Sequence, residues 1–158
     1  MAAELFKAMT GTDIVHVPHK AAGDSRNAVI GGHIEMMFDA ITTMASNAQA
    51  GQVRALGTTA TVRSKVLPDV PTIAEAGVPG YAGTSWFALA APSSMPRELV
   101  EKVNRDANRG LAAQEAVARL DALGVTFTPN TPAEAAAFFK SETAKWNRVI
   151  EAANIRLD

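Results

Sequence analysis

Apolar residues recur at helical spacing in several stretches of the chain. Residues 3–10 place their apolar side chains on one helical face and are followed by Gly11, which is typical of a helix end. The last helix is expected to begin at Thr131-Pro132, because Thr suits the N-cap and Pro the first helical position. Four further helices are predicted over residues 25–30, 42–50, 96–109 and 111–123, with Gly110 as the break between the last two. The final helix is expected to bury one face, made of Ala135, Phe139, Trp146, Val149 or Ile150, and Ala153.

Apolar segments between these helices predict strands. They cover residues 14–17, 34–38, 53–58, 81–91 and 125–128. The first three alternate with helices and are nearly continuous in their apolar character, which is typical of a parallel sheet covered on both faces. This order predicts an α/β fold for the first half of the chain.

The pattern changes after residue 60. Residues 61–80 contain three prolines, and the Thr72–Glu75 spacing fits a capping box, which predicts one short helix before Gly77. Long helices with little strand dominate the second half. We therefore expect a seam between two structural units near residues 80–86.

The composition narrows the class of protein. Apolar residues make up 47% of the chain and charged residues 20%, which is typical of a globular domain. The net charge of −1 provides no broad positive surface for nucleic acid or anionic lipid. The chain has no cysteine, so disulfides, thiol catalysis and cysteine-ligated metals are excluded. No apolar run approaches the ~20 residues of a membrane-spanning helix, and the first residues lack the pattern of a signal peptide.

Candidate ligand-binding positions follow from the predicted topology. In a parallel α/β sheet, ligands bind beyond the carboxyl ends of strands, where loops lead into helix N-termini. Free backbone N–H groups and the positive helix end suit a carboxylate there, with help from the hydroxyls of Ser25, Thr42 and Thr43. These residue types also cap helices, so capping and ligand binding both stay open. Three such places are predicted, at residues 19–25, 39–43 and 58–61.

Charged and imidazole side chains add further candidates. Asp39 ends an apolar predicted strand. Its carboxylate could accept a hydrogen bond that orients a ligand amine or hydroxyl, or it could cap the next helix, and both alternatives stay open. Lys20 beside His19 fits contact with an anion. The spacing of His16 and His19 suits a metal only if both rings turn together, so no metal site is expected. The sequence contains no phosphate loop, dinucleotide fingerprint or nucleophile motif, and no cofactor is expected.

Several motifs give the chain a family resemblance. The most specific is Leu67-Pro68-Asp69-Val70-Pro71-Thr72, which continues to Gly77. Residues 17–20, 31–39, 84–89, 91–92 and 145–146 continue the match in the same order. Over nearly its whole length the chain resembles the Bug-type, TctC-like solute receptors of tripartite tricarboxylate transporters.

The resemblance implies a periplasmic-binding-protein fold of type II, with two α/β lobes joined by crossing segments. Such receptors are periplasmic and are not enzymes; they hold a small carboxylate between the lobes and work with the membrane components of the transporter. On this template, residues 1–80 are part of the second lobe, 81–91 the crossover strand and 92–158 the helical C-terminal part of the first lobe. The ligand side of the cleft would be formed by His19, Lys20, Ser25, Asp39, Thr42 and Thr43.

The chain also departs from the family pattern. A full receptor is about twice as long, so we expect a truncated fold that lacks most of the first lobe. His19 stands where the family usually has Tyr, and Ala40 follows Asp39 where a polar residue is common. Because the absent part would remove strand partners, we expect a homodimer. Two alternatives stay open: an oligomeric interaction protein that binds no metabolite, and a small acid–base enzyme that uses His16, His19 and Asp39.

Overall fold

A computed structural model describes residues 1–155, and residues 156–158 of the last predicted segment lie outside the described residues. Six of the seven predicted helices are present within this range, and the short one expected before Gly77 is not. They are α1 (Ala2–Thr10), α2 (Ala22–Ile30), α3 (Ile41–Gln49), α4 (Arg97–Leu111), α5 (Gln114–Ala122) and α6 (Pro132–Ala152).

Local capping chemistry sets several helix ends. Gly11 adopts a left-handed conformation with φ 67°, and its N–H donates to the Lys7 carbonyl at 2.8 Å, which closes α1. Thr131 and Glu134 form the reciprocal capping box that the sequence predicts at the start of α6. Gly110 does not end α4, which continues to Leu111. A glycine inside a helix lowers stability but leaves the backbone hydrogen bonds intact, so it does not by itself stop the helix.

The predicted strands do not pair into a sheet within the described residues. The one bridge found there is parallel and joins Thr58 to Thr72. Thr58 N–H donates to the Pro71 carbonyl and Ile73 N–H to the Thr58 carbonyl, both at 2.9 Å. The other strand predictions are wrong, because those segments form no backbone pairing with a second strand among the described residues. An apolar run shows that a segment is suited to a sheet, but it does not show that a partner strand is present. Residues 14–17, 34–38, 81–91 and 125–128 form irregular connections.

The proline-rich segment forms the most buried part of the described chain. Thr72 and Ile73 are buried within residues 61–80, and Tyr81 is buried directly after them. The predicted capping box is present: Thr72 N–H donates to Glu75 Oε2 at 2.8 Å, and Glu75 N–H donates to Thr72 Oγ1 at 3.1 Å. The Thr72 backbone and Arg63 lower the pKa of the Glu75 carboxyl. The predicted helix is reduced to turns that lead to Gly77.

Tyr81 ties this segment to α1. Its hydroxyl donates to the Ala2 carbonyl at 3.0 Å, and its ring meets Phe6 edge-on with 6.3 Å between ring centroids. Gly83 lies directly beside the phenol, and a Cβ at this position would come within 2.7 Å of the Tyr81 hydroxyl. Burial raises the pKa of Tyr81 to about 12.

Helix α6 contacts α1 and the connection that follows Tyr81. Lys145 Nζ donates to the Ala82 carbonyl at 3.1 Å and to Glu142 Oε1 at 2.6 Å, while Trp146 Nε1 donates to Glu142 Oε2 at 3.0 Å. Burial raises the pKa of the Glu142 carboxyl, but hydrogen bonds from Lys145 and Trp146 outweigh it, so the pKa is lowered. The predicted buried face is largely wrong, because Val149 is buried but Phe139 is exposed.

The chain leaves an unusually large surface in water. Its accessible area is 11422 Å², whereas a folded monomer of 16.6 kDa exposes about 7,600 Å². The most exposed apolar side chains lie on the unpaired connections: Phe87 is 92% and Val15 is 80% exposed. Among the described residues, no helix combines the length and apolar character that crossing a bilayer requires.

Candidate functional site

The first predicted ligand loop leads directly into α2. Ala21 is the N-cap of this helix and makes no side-chain cap hydrogen bond. Ser25 lies inside the helix, and its hydroxyl donates to the Ala22 carbonyl at 3.0 Å, so it does not cap the helix start. Lys20 is exposed at the bend before α2. The first backbone N–H groups of α2 therefore lack a side-chain cap.

His19 lies at the start of the same loop and is partly buried. Its Nε2 atom is shielded from solvent and has no hydrogen-bond partner among the described residues. A buried ring nitrogen without a partner is unfavourable, so this position gains from any water or ligand atom that reaches it.

Asp39 accepts two N–H donors at the start of α3, and the Thr43 hydroxyl lies close to the same carboxylate. Its Oδ1 accepts the Ala40 N–H at 2.8 Å, and its Oδ2 lies 3.0 Å from Arg26 Nε and 3.2 Å from the Thr43 hydroxyl. The Thr43 hydroxyl also lies 2.8 Å from the Ala40 carbonyl. The Asp39 side chain is only 14% exposed, so its carboxylate braces the start of α3 and pairs with α2.

The predicted residues are therefore only partly brought together. Asp39 and Thr43 are in contact, and Thr42 is exposed in the first turn of α3. The unpredicted member is Arg26, which links α2 to the Asp39 carboxylate. The available signal was a basic residue on the helix before an acidic residue at the end of an apolar segment. The two residues are thirteen positions apart, so spacing alone did not predict the pairing.

The third predicted place, at residues 58–61, lies beside the buried core: residues 58–60 are partly buried and residue 61 is exposed. Thr59 carbonyl accepts the Gly83 N–H at 3.0 Å, and the Thr58 hydroxyl is buried without a partner in the described part of the chain. This segment supports the fold around Tyr81. It offers less access to a ligand than the two helix starts.

Two concave surfaces lie away from the predicted ligand residues. One groove of about 470 Å³ is at the C-terminal end of α3, and a second of about 330 Å³ lies beside Trp86 and Trp146. The C-terminal end of a helix carries partial negative charge and does not suit a carboxylate. No group of three or more His, Cys, Asp or Glu side chains suited to a metal is found within residues 1–155. The first groove is lined by Ala48, Gly51, Gln52, Val53, Arg54, Ala55, Leu67 and Val70.

Solved structures establish the class of protein. Rpa4515 from Rhodopseudomonas palustris, solved with adipate, superposes with a TM-score of 0.81 at 32% identity, over 98% of this chain and 52% of that chain. MatC from the same species, with bound malate, superposes with a TM-score of 0.75 at 30% identity, over 94% of this chain and 52% of that chain. The periplasmic binding protein BugD superposes with a TM-score of 0.77 at 25% identity, over 98% of this chain and 52% of that chain. The fold is that of about half of a periplasmic binding protein, which confirms the predicted fold class.

The family follows from the sequence comparisons. The family described as "Tripartite tricarboxylate transporter family receptor" (TctC) matches residues 1–155, and the chain belongs to this family. A UPF0065 protein of Pseudomonas sp., from a tcbD-tcbE intergenic region, is 37% identical over 95% of this chain and 45% of its own length. Protein BugT of Bordetella pertussis is 29% identical over 98% and 47%. The chain thus spans about half the length of these two relatives.

A second UPF0065 protein differs in its length. The relative from Pseudomonas knackmussii, from a clcB-clcD intergenic region, is 31% identical over 95% of this chain and 89% of its own length. This protein and the present chain therefore cover much the same part of the family.

Proposed function

We propose that this chain forms one side of a binding site for a small carboxylate in a solute receptor of a tripartite tricarboxylate transporter. The observation that carries the proposal is the Arg26–Asp39 ion pair, which links α2 to the residue before the N-cap of α3. The N-caps of both helices make no side-chain cap hydrogen bond. Family membership supports it, as do the relatives solved with adipate and with malate.

The chemistry of the two helix starts favours an anion. The N-terminus of each helix presents backbone N–H groups and a partial positive charge. On the proposed site, Lys20 adds a cation, the Thr42 hydroxyl adds a donor, and His19 supplies a ring nitrogen. Ser25, Thr43 and Asp39 make up the remainder. Because each Asp39 oxygen already accepts an N–H group, from Ala40 and from Arg26, the proposed role of Asp39 is to shape the site.

The wider assignment follows the family. Residues 1–80 are proposed as part of one lobe, 81–91 as the crossover segment and 92–158 as the helical part of the other. The receptor would act in the periplasm and deliver its ligand to membrane components of the transporter. An acid–base enzyme is the weaker interpretation, since Asp39 is paired with Arg26 and is not free to act as a base.

A ligand screen tests the carboxylate proposal. Thermal unfolding would be followed with adipate, malate and succinate, with a neutral sugar and the diamide of adipate as controls. A ligand that binds the folded state raises the melting temperature by mass action, so we expect a dose-dependent increase with at least one carboxylate. Stabilisation by the sugar or the diamide alone would contradict the proposal.

A second role, self-association, is supported by the exposed area. The chain leaves about 3,800 Å² more surface in water than its size predicts. Phe87 and Val15, the most exposed large apolar side chains described, lie on connections whose backbone groups are unpaired. Unpaired extended segments with apolar side chains readily join a second chain. We therefore propose a homodimer in which these connections meet, with the area of an obligate interface.

Light scattering coupled to size exclusion tests the dimer at micromolar concentration. The expected mass is twice 16.6 kDa. Phe87→Glu should shift the mass toward the monomer, whereas Leu111→Glu at the end of α4 should leave the dimer intact. A monomer of 16.6 kDa that unfolds cooperatively would show that the dimer proposal is wrong.

A further inference from the structure

Arg26 has a guanidinium group that is only partly used by the protein. Its Nε donates to Asp39 Oδ2 at 3.0 Å, and the side chain keeps 27% of its surface exposed. Neither terminal nitrogen donates to an acceptor among the described residues. The guanidinium is therefore held through Nε by Asp39. Its two terminal nitrogens, Nη1 and Nη2, keep their capacity to donate hydrogen bonds to a further acceptor.

Asp39 is arranged to hold this group in place. Ala40 N–H fixes Oδ1 at 2.8 Å, and the Thr43 hydroxyl lies 3.2 Å from the oxygen that accepts from Arg26. The carboxylate is therefore itself fixed to the first turn of α3. An arginine held at one nitrogen by a fixed carboxylate loses less side-chain freedom when it binds a second partner.

We propose that Arg26 binds the ligand carboxylate through Nη1 and Nη2, with Asp39 as its positioning residue. This proposal rests on the carboxylate-binding function proposed above and adds the side chain that selects for it. The planar end of a guanidinium matches the two oxygens of a carboxylate. Lys20, just before α2 in the sequence, adds a positive charge, whereas Asp24 in the first turn of α2 and Asp39 add negative charges that oppose an anion. Because these charges together give no net attraction for an anion, the attraction for the ligand carboxylate comes from its two hydrogen bonds with Arg26.

The geometry also predicts what the site rejects. An amide offers one acceptor and two donors in place of the two acceptors of a carboxylate. Its NH₂ group would face the N–H groups of Arg26, which leaves donors opposed. A primary amide of the same shape should therefore bind far more weakly than the acid.

Calorimetry on the full chain tests the assignment with adipate as the first probe and malate as the second. Arg26→Gln removes the positive charge and the two parallel N–H donors of the planar guanidinium, and we expect about 10- to 100-fold weaker binding. Arg26→Lys keeps the charge but has no planar fork, so it should recover only part of the affinity. Arg105→Gln on α4 is the matched control and should bind like the wild type. Circular dichroism checks that each variant keeps its helix content.

The possible outcomes separate the two proposals. If the wild type binds a carboxylate, and both Arg26 variants bind it within twofold, the Arg26 assignment is wrong while the carboxylate function stands. If the wild type binds neither probe nor any other carboxylate of the screen, both proposals fail. If Arg26→Gln does not fold, Arg26→Lys and the comparison of adipate with its diamide on the wild type decide the question. Equal affinity for diamide and acid would overturn the assignment.

Discussion

Gly83→Ala is expected to destabilise the chain through one specific steric conflict. The new Cβ would lie 2.7 Å from the Tyr81 hydroxyl oxygen, 3.1 Å from Cζ and 3.2 Å from Cε1. The phenol cannot move aside easily, because it is 1% exposed and its hydroxyl donates to the Ala2 carbonyl. Overpacking of this kind costs about 1–3 kcal/mol of unfolding free energy.

A double-mutant cycle isolates the conflict. Tyr81→Phe removes the nearest atom and one hydrogen bond, at a cost of about 1 kcal/mol. In the Tyr81→Phe background, the two remaining contacts are tight but longer, so Gly83→Ala should cost less than it does in the wild type. The coupling is expected to be about 1 kcal/mol and is measured by urea unfolding.

Gly110→Ala serves as the matched control. This glycine is inside α4, and a Cβ at its position meets nothing within 4 Å. Alanine in a helix interior is better than glycine by about 0.5–1 kcal/mol, so this variant should be more stable than the wild type. The reasoning is refuted if Gly83→Ala is as stable as the wild type, or if Tyr81→Phe leaves its cost unchanged.

Three further predictions concern charge and capping. Asp39→Asn should lower the unfolding free energy by about 1–2 kcal/mol, because the amide oxygen replaces only one of the two acceptors and its NH₂ group faces either the Ala40 N–H or Arg26. A loss above ~3 kcal/mol in urea would instead indicate a buried paired charge. Burial raises the pKa of Tyr81 to about 12 in the folded chain, above its ordinary value of 10.0. Its contribution to stability is therefore complete below pH 10 and is lost as pH rises toward 12. Melting curves across that range should fall more steeply for the wild type than for Tyr81→Phe, and parallel curves would contradict this. Thr131→Ala removes the hydroxyl that accepts the Glu134 N–H and should cost about 1 kcal/mol, whereas Thr131→Ser should be nearly neutral; equal stability of the Ala and Ser variants would refute the capping role.

Local chemistry made the helices predictable from the sequence. Gly11 after α1 and Thr131 with Glu134 at α6 act through hydrogen bonds between residues at most four apart. The Thr72–Glu75 capping box was predicted for the same reason and is present, although it supports turns in place of a helix. Such features depend on the neighbouring sequence alone.

Features that need a distant partner were not predictable in the same way. The apolar run at residues 14–17 was compatible with a buried strand, yet Val15 is 80% exposed because no segment within residues 1–155 pairs beside it. Phe139 was predicted on the buried face of α6, but it is exposed because no other element within residues 1–155 covers it fully. Arg26 and Asp39 are each ordinary in the sequence, and only the fold brings them to 3.0 Å.

The central proposal is that a small carboxylate binds at the starts of α2 and α3. The most direct test is a titration of the ¹⁵N-labelled chain with adipate, followed through the backbone and arginine N–H signals by NMR. We expect saturable shifts at residues 20–26 and 40–43 and at the Arg26 side chain. Shifts confined to the groove at residues 51–55, or no saturable shift with adipate at concentrations that stabilise the fold, would contradict the proposed site.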